Sequence, residues 1–123
     1  MITTALVWLG VVIAGGVGAV ARFLVDRAVT GYFARPFPYG TFVVNISGAV
    51  ILGFVSGLSL GHNAALIAGT AAVGSYTTFS TWMLESHRLA EERQLGLSAA
   101  NIVCSVILGV AAALLGQTLA TML

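Results

Sequence analysis

Four long apolar runs, separated by short polar segments, account for most of the 123-residue chain. Charged residues occur only in two zones, 22–35 and 85–93, and the apolar runs cover about residues 3–25, 40–60, 64–84 and 97–121. Each run is long enough to cross about 30 Å of hydrocarbon as a helix of about 20 residues. The pattern therefore predicts an all-α integral membrane protein with four transmembrane helices, in a single domain that spans residues 1–123.

The connections between these runs are short. Pro36 and Pro38 stand between the first two runs, and a proline lacks a backbone N–H and disfavours helical geometry in the residue before it. Only Gly61, His62 and Asn63 separate the second run from the third, which predicts an antiparallel helical hairpin. The first run has no basic amino-terminal segment and no convincing cleavage site, so we interpret it as a membrane helix rather than a secretory signal.

Composition agrees with a location in the bilayer and excludes several classes of function. Hydrophobic residues make up 59% of the chain and charged residues only 7%, which is too little polar surface for a water-soluble fold. The net charge of +1 provides no basic surface for nucleic acid. No nucleophile with a plausible base and acid is evident, and His62 and His87 lack a metal-ligand spacing. We therefore do not expect an enzyme.

A cluster of polar residues interrupts the third apolar run. Residues 74–82, with the sequence GSYTTFSTW, place hydroxyl groups where a continuous lipid-facing helix tolerates them least. Polar backbone and side chains at membrane depth usually line a pathway, so we predict a broken helix here. Two other runs have polar residues at helical spacing: Thr41 and Asn45 in the second run, and Ser98, Asn101 and Ser105 in the fourth.

These polar faces have two interpretations. Ser, Thr and Asn commonly join membrane helices through hydrogen bonds, and that role alone would explain any one of the faces. Three such faces in one small bundle favour a continuous line of hydrogen-bond donors, because amides, hydroxyls and aromatic ring edges can all stabilise a small anion. No carboxylate or lysine is evident within the predicted spans to exchange a coupling proton, which favours passive conduction over pumping.

Small residues at four-residue spacing predict close helix packing. Gly15 with Ala19 and Gly53 with Gly57 are examples of this pattern, which lets helix backbones approach each other in lipid. Four tightly packed helices enclose little space. A pore would therefore need a second subunit.

Three stretches of the chain resemble the signature segments of the fluoride channels called Fluc or CrcB. They are residues 15–23 (GGVGAVARF), 40–48 (GTFVVNISG) and 74–81 (GSYTTFST). The resemblance extends over essentially the whole chain in length, number of spans and order of motifs. It implies a fluoride-selective channel that exports fluoride passively and reduces its toxicity, located in the plasma membrane, the inner membrane of a prokaryote.

The resemblance also implies an assembly and a bound cation. Members of the family form antiparallel, dual-topology dimers with two fluoride pathways and a structural sodium ion at the centre of the interface. Backbone carbonyl groups near the break in the third helix hold the sodium, and the matching positions here are Gly74 and Thr77. Carbonyl groups freed by a helix break suit a hard cation.

The fluoride pathway implied by the resemblance uses aromatic ring edges and polar side chains. Phe79 matches one phenylalanine of the family, and the second position is occupied by Trp82, which keeps an aromatic edge and adds an indole N–H donor. Asn45 matches a residue that orients these rings, and Asn101 stands where relatives often have tyrosine. The other residues expected along the pathway are Thr41, Ser80, Thr81, Ser105 and, at the entrance, Arg22. A topological anchor at the membrane surface is the alternative role for Arg22.

The arginines in the loops bear on orientation. Arg27, Arg35, Arg88 and Arg93 would lie on one side of a four-span bundle, which favours a single orientation by the positive-inside rule. We favour an antiparallel homodimer, because acidic residues lie among these arginines. A heterodimer with a homologue of opposite topology is the alternative.

Two other functions stay open on the sequence alone. A small multidrug-type transporter also has four helices, but it would need an ionisable carboxylate within a span, and the predicted first span has none. A non-transporting membrane assembly subunit would need no line of polar groups.

Overall fold

In a computed structural model that describes residues 1–123, the chain is entirely helical and has no strands. Its elements, in order, are α1 (Ile2–Tyr32), α2 (Tyr39–Gly57), α3 (His62–Ala65), a π-helical stretch (Leu66–Val73), α4 (Gly74–Tyr76), α5 (Ser80–Glu91) and α6 (Leu95–Thr121). Three of them, α1, α2 and α6, are long and apolar enough to cross a membrane. The chain is therefore a multi-pass membrane protein, and the predicted all-α class is confirmed.

The first helix is longer than predicted. It continues to Tyr32, past the predicted end of the first span at residue 25. Asp26 and Thr30 lie one turn apart in this extension, and the Thr30 hydroxyl donates to Asp26 Oδ1 at 3.2 Å. A charged residue ends an apolar run without breaking helical hydrogen bonds, so hydropathy placed the boundary too early. The helix ends before Pro36, where helical geometry is disfavoured.

Helices α2 and α6 pack together through their small residues. A Cβ atom added at Gly57 would lie 2.8 Å from the Cβ atom of Ala120, and one added at Gly53 would overlap the backbone of Ala113. Larger side chains would keep these two helix backbones apart. The predicted close packing is confirmed at Gly53 and Gly57, whereas a Cβ atom at Gly15 would have no neighbour within 4 Å.

The π-helical stretch packs against α1. Gly18 is buried there, because a Cβ atom at this position would overlap the Ala72 carbonyl and the Ser75 hydroxyl. Ser75 Oγ donates to the Ala72 carbonyl at 3.1 Å, so these two groups bond to each other next to the α1 backbone. Single π-helical turns often occur at functional sites. This one leads directly into the polar segment 74–82, and α4 at the start of that segment contacts both α1 and α2.

Much of the apolar surface of the single chain is exposed. Val12 on α1 and Ile107 on α6 are examples, at 70% and 61% exposed. Lipid tails or a second subunit would cover such a surface in a membrane. The enclosed interior is small, and its largest fully buried side chains are those of Val44 and Asn101.

Candidate anion site

Residues 77–79 lie between α4 and α5 and are not helical, and we call this interruption the break. Thr77 has an extended backbone, with φ of −83° and ψ of 162°. The side chain of Asn45 on α2 supplies hydrogen bonds at the break: its Nδ2 donates to the Thr78 carbonyl at 2.9 Å, and its Oδ1 accepts from the Thr78 N–H at 2.8 Å. Both ends of one amide therefore attach the broken segment to α2, directly before Phe79.

The break leaves several carbonyl groups without their helical donors, among them those of Gly74 and Thr77. In a continuous helix the Thr78 N–H would bond to the Gly74 carbonyl, and the Thr81 N–H would bond to the Thr77 carbonyl. Here the Thr78 N–H bonds to Asn45 instead, and the Thr81 N–H donates to Thr78 Oγ1 at 3.2 Å. The carbonyl groups of Gly74 and Thr77 are thus available to another partner.

These carbonyl groups fit the cation that the resemblance implies. Gly74 and Thr77 line an open groove of about 570 Å³, together with Ser56 and Thr70. Backbone carbonyl and hydroxyl oxygens are ligands that hard cations such as sodium prefer. No group of three acidic, histidine or cysteine side chains that could hold a metal is present. The oxygens that line this groove are of the kind that such an ion prefers.

A second groove, of about 460 Å³, lies beside the aromatic residues of the break, and we call it the aromatic groove. Its walls include Asn45, Phe79, Trp82 and Ser105. The Phe79 side chain is 70% exposed, and its ring meets that of Trp82 edge to face, with centroids 5.7 Å apart and planes at 79°. Ring edges have partial positive charge, so this wall can contact an anion.

The hydroxyl of Ser105 completes the donor set of the aromatic groove. Ser105 Oγ is enclosed and has no hydrogen-bond partner within the chain. Most buried polar atoms in proteins are hydrogen-bonded, so an unpartnered hydroxyl next to a groove is a candidate donor, which a ligand would reach by displacing the atoms that enclose it. A hydroxyl can donate its proton to an anion.

A smaller cavity, of about 190 Å³, adjoins the aromatic groove at Thr78, which lines both spaces. Its walls include Arg22, Asp26, Thr41 and Thr81. Thr41 is only 2% exposed, so its hydroxyl lies well inside the chain. The cavity therefore combines a guanidinium group, a carboxylate and hydroxyl groups next to the break, and we call it the arginine cavity.

Two of the predicted pathway residues line neither the aromatic groove nor the arginine cavity, whereas all the others line one of them. Ser80 is exposed at the start of α5. Asn101 on α6 is fully enclosed, with 0% of its surface exposed. The Trp82 indole N–H donates to the Asn101 carbonyl at 3.0 Å, so Asn101 contacts the aromatic pair without forming the groove wall.

Two carboxylates near Thr41 were not predicted as part of the site. Asp26 and Glu85 lie beyond the predicted ends of the first and third spans, but helices α1 and α5 continue through them. Glu85 is half-buried close to Thr41, and its Oε1 atom has no hydrogen-bond partner. The sequence does contain a signal for Glu85, because it follows Thr81 by four residues and Trp82 by three, which places all three on one helix face.

Comparison with known proteins finds relatives over nearly the whole chain. The profile of a family described as CrcB-like protein, Camphor Resistance (CrcB), matches residues 9–117. A protein of Mycolicibacterium paratuberculosis named fluoride-specific ion channel FluC 2 is 64% identical over 118 residues, which cover 96% of this chain and 97% of the relative. A Mycobacterium tuberculosis protein of the same name is 62% identical over 117 residues, covering 95% and 93%. Fluoride-specific ion channel FluC 1 of Leifsonia xyli subsp. xyli is 43% identical over 117 residues, covering 92% and 85%.

Proposed function

Because the chain belongs to the CrcB family, we propose that it is a fluoride-selective channel and not an enzyme. This channel would export fluoride passively across the plasma membrane and reduce fluoride toxicity. The supporting observation is the aromatic groove, where the rings of Phe79 and Trp82 and the unpartnered Ser105 hydroxyl surround one space. Relatives that are 62–64% identical to the chain are named fluoride-specific ion channels. Export would follow the fluoride gradient and be aided by a negative-inside potential.

In the aromatic groove, fluoride would exchange its water for protein donors. A small, strongly hydrated anion needs several close donors before it can lose that water. Ser105 Oγ can donate its proton, and Asn45 Nδ2 has a second N–H besides the one bonded to Thr78. Phe79 and Trp82 add ring edges with partial positive charge. Chloride is larger and more weakly hydrated, so we expect it to gain less from close donors of this kind.

The arginine cavity would receive fluoride before the aromatic groove does. The Arg22 guanidinium attracts anions from solution, and the hydroxyl groups of Thr41 and Thr81 lie in the same cavity. Thr78 lines both spaces, so an ion would pass between them along the helix break.

The assembly that we propose is an antiparallel homodimer. Residues 62–91 would form a fourth, broken membrane crossing, and the exposed apolar surface of α1 and α6 would contact lipid or the second subunit. A structural sodium ion at the dimer interface would bind the free carbonyl groups of Gly74 and Thr77 and balance their partial negative charge. A heterodimer with a homologue of opposite topology is the alternative.

Anion efflux from liposomes tests the proposed conduction. Liposomes that contain the purified chain and are loaded with potassium fluoride should release fluoride once a potassium ionophore removes the charge build-up. The same vesicles loaded with potassium chloride should retain chloride, and protein-free vesicles should retain both anions. Equal rates for the two anions would contradict selectivity. Proton-coupled export of a cationic drug without fluoride release would instead support a small multidrug-type transporter.

Labelling from each side of the membrane tests the proposed topology. Cys104 is the only cysteine and is exposed, so it is first replaced by serine, and a new cysteine is added after the last residue. An impermeant thiol reagent should then label this cysteine from both sides, and the single purified protein should conduct fluoride. Labelling from one side only, with flux that requires an added homologue, would contradict the homodimer.

A further inference from the structure

Trp82 belongs to a closed ring of three hydrogen bonds, of which two join α5 to α6 and one lies within α5. The Trp82 indole N–H donates to the backbone carbonyl of Asn101 at 3.0 Å. Asn101 Nδ2 donates to Ser86 Oγ at 2.8 Å, and Ser86 Oγ donates to the Trp82 carbonyl at 2.9 Å. The ring therefore holds Trp82 both by its side chain and by its backbone.

The ring also fixes the orientation of the Asn101 amide. Ser86 Oγ has one proton and donates it to the Trp82 carbonyl, so it accepts a hydrogen bond from Asn101, and the Asn101 atom that contacts it is the nitrogen. Asn101 Oδ1 is consequently enclosed without a partner. Ser86 is 3% exposed and Asn101 is 0% exposed, so water does not compete for these bonds.

Asn101 and Trp82 differ in their access to the aromatic groove. Trp82 lines the groove beside Phe79, whereas Asn101 does not line it. An ion in the groove would therefore meet the Trp82 ring and would be separated from the Asn101 amide. An effect of Asn101 on conduction is therefore indirect, and Trp82 is the groove residue to which Asn101 is hydrogen-bonded.

We propose that Asn101, together with Ser86, is a positioning residue that holds the Trp82 ring at its angle of 79° to Phe79 and thereby sets the ring edges of the aromatic groove. This inference rests on the proposed fluoride channel function. An unattached indole can turn about its two side-chain torsions, and each ion would then have to order it again. A ring that is already fixed presents its edge without that cost.

Two variants break the hydrogen-bond ring and one matched variant leaves it intact. Asn101→Leu keeps a similar shape, removes the donor to Ser86 and also removes the unpartnered Oδ1, so the fold should be retained. It keeps the backbone carbonyl that accepts the indole N–H, so it tests the Asn101–Ser86 bond that braces this acceptor against α5. Ser86→Ala breaks the ring from α5. Ser98→Ala is the control, because Ser98 Oγ donates to the Ser86 carbonyl at 2.7 Å in the same helix interface but is not a member of the ring.

Fluoride flux and motion of the indole are measured on the same proteins. The chain has two tryptophans, so in a Trp8→Phe background the fluorescence comes from Trp82 alone. We expect Asn101→Leu and Ser86→Ala to lower fluoride flux about tenfold, the size of effect that follows the loss of one buried hydrogen bond. Both should also add fast indole motion, seen as a faster decay of fluorescence anisotropy. Ser98→Ala should change neither measurement.

Replacing the indole distinguishes positioning from direct ion contact. Phenylalanine at position 82 has no N–H to anchor, so Asn101→Leu should lower flux much less in a Trp82→Phe background. An equal loss in both backgrounds, a loss without added indole motion, or unchanged flux in both ring variants would overturn the inference. If the unsubstituted chain conducts no fluoride, the proposed function fails, while the anisotropy still reports whether the ring holds Trp82.

Discussion

Helix α2 makes two contacts of opposite kinds, one with α6 and one with the broken segment. Against α6, Gly53 and Gly57 bring the helix backbones together, and no side-chain hydrogen bond joins the two helices. Against the broken segment, Asn45 forms two hydrogen bonds to the backbone of Thr78. At these glycines the contact with α6 depends on shape alone, whereas the break leaves carbonyl groups without helical donors and adjoins the unpartnered Ser105 hydroxyl.

This difference shows how a chain with few polar residues can separate stability from ion binding. Small residues associate helices by shape, which requires no hydrogen bond. A broken helix in a membrane must satisfy its backbone groups within the protein, and the groups left over can bind a ligand. Changes of shape between α2 and α6 should therefore affect stability, and changes of chemistry at the break should affect conduction.

The largest expected effect is at the break, for Phe79→Ile. Isoleucine keeps apolar bulk but lacks a ring edge, so fluoride flux should fall about a hundredfold, as when one donor is removed from an anion-stabilising site. Fluoride efflux measures the loss, and size-exclusion chromatography checks that the assembly is retained. Phe42→Ile is the matched control, because Phe42 packs on Phe37 with ring centroids 5.8 Å apart and does not line the groove. Normal flux through Phe79→Ile would mean that the Phe79 ring contributes only to packing.

A smaller but clear loss of flux is expected for Asn45→Asp. The carboxylate can still accept from the Thr78 N–H, but it cannot donate to the Thr78 carbonyl, and its negative charge repels fluoride in the aromatic groove. Flux should fall about tenfold, equivalent to about 1.4 kcal/mol of added barrier. Asn63→Asp adds the same charge at an exposed residue of α3 and should leave flux close to that of the parent chain. Equal flux in both variants would contradict an anion path past Asn45.

The smallest expected effect on conduction is at the α2–α6 contact, for Gly53→Ala. The added methyl group would overlap the backbone of Ala113, so the free energy of unfolding should decrease by about 1–3 kcal/mol while the folded protein still conducts fluoride. Thermal unfolding in detergent measures the change. Gly15→Ala is the comparison variant, because its methyl group would have no neighbour within 4 Å, and it should be neutral or stabilising. Similar melting temperatures for the two variants would show that shape at Gly53 does not limit stability.

The sequence predicts the helices better than it predicts their ends. Apolar runs identify α1, α2 and α6 because lipid requires long uncharged stretches. The end of α1 at Tyr32 could not be read from hydropathy, since Arg22 and Asp26 change the solvent preference of the helix without changing its backbone hydrogen bonds. The π-helical stretch was not predicted either, because its residues are as apolar as those of an α-helix.

The candidate site was predictable in its residues and much less in its connections. Polar residues within an apolar run indicated the segment that contains Thr77 and Phe79, because such residues are costly in lipid. The bonds between Asn45 and Thr78 join positions 33 residues apart, and helical periodicity gives no register between separate helices. For the same reason periodicity placed Asn101 on a polar face of α6 but could not show that α5 covers this face.

The π-helical stretch Leu66–Val73 gives the chain some tolerance to changes in length ahead of the break. A π-helical turn contains about one more residue than an α-helical turn over a similar rise. A deletion of one residue within this stretch would therefore be absorbed if a π-turn became an α-turn, and Gly74 and the residues after it would keep their places. A deletion after Gly74 could not be absorbed in this way, because the bonds between Asn45 and Thr78 fix the following backbone to α2. Natural length variation should accordingly be found before Gly74 and be absent between Gly74 and Trp82.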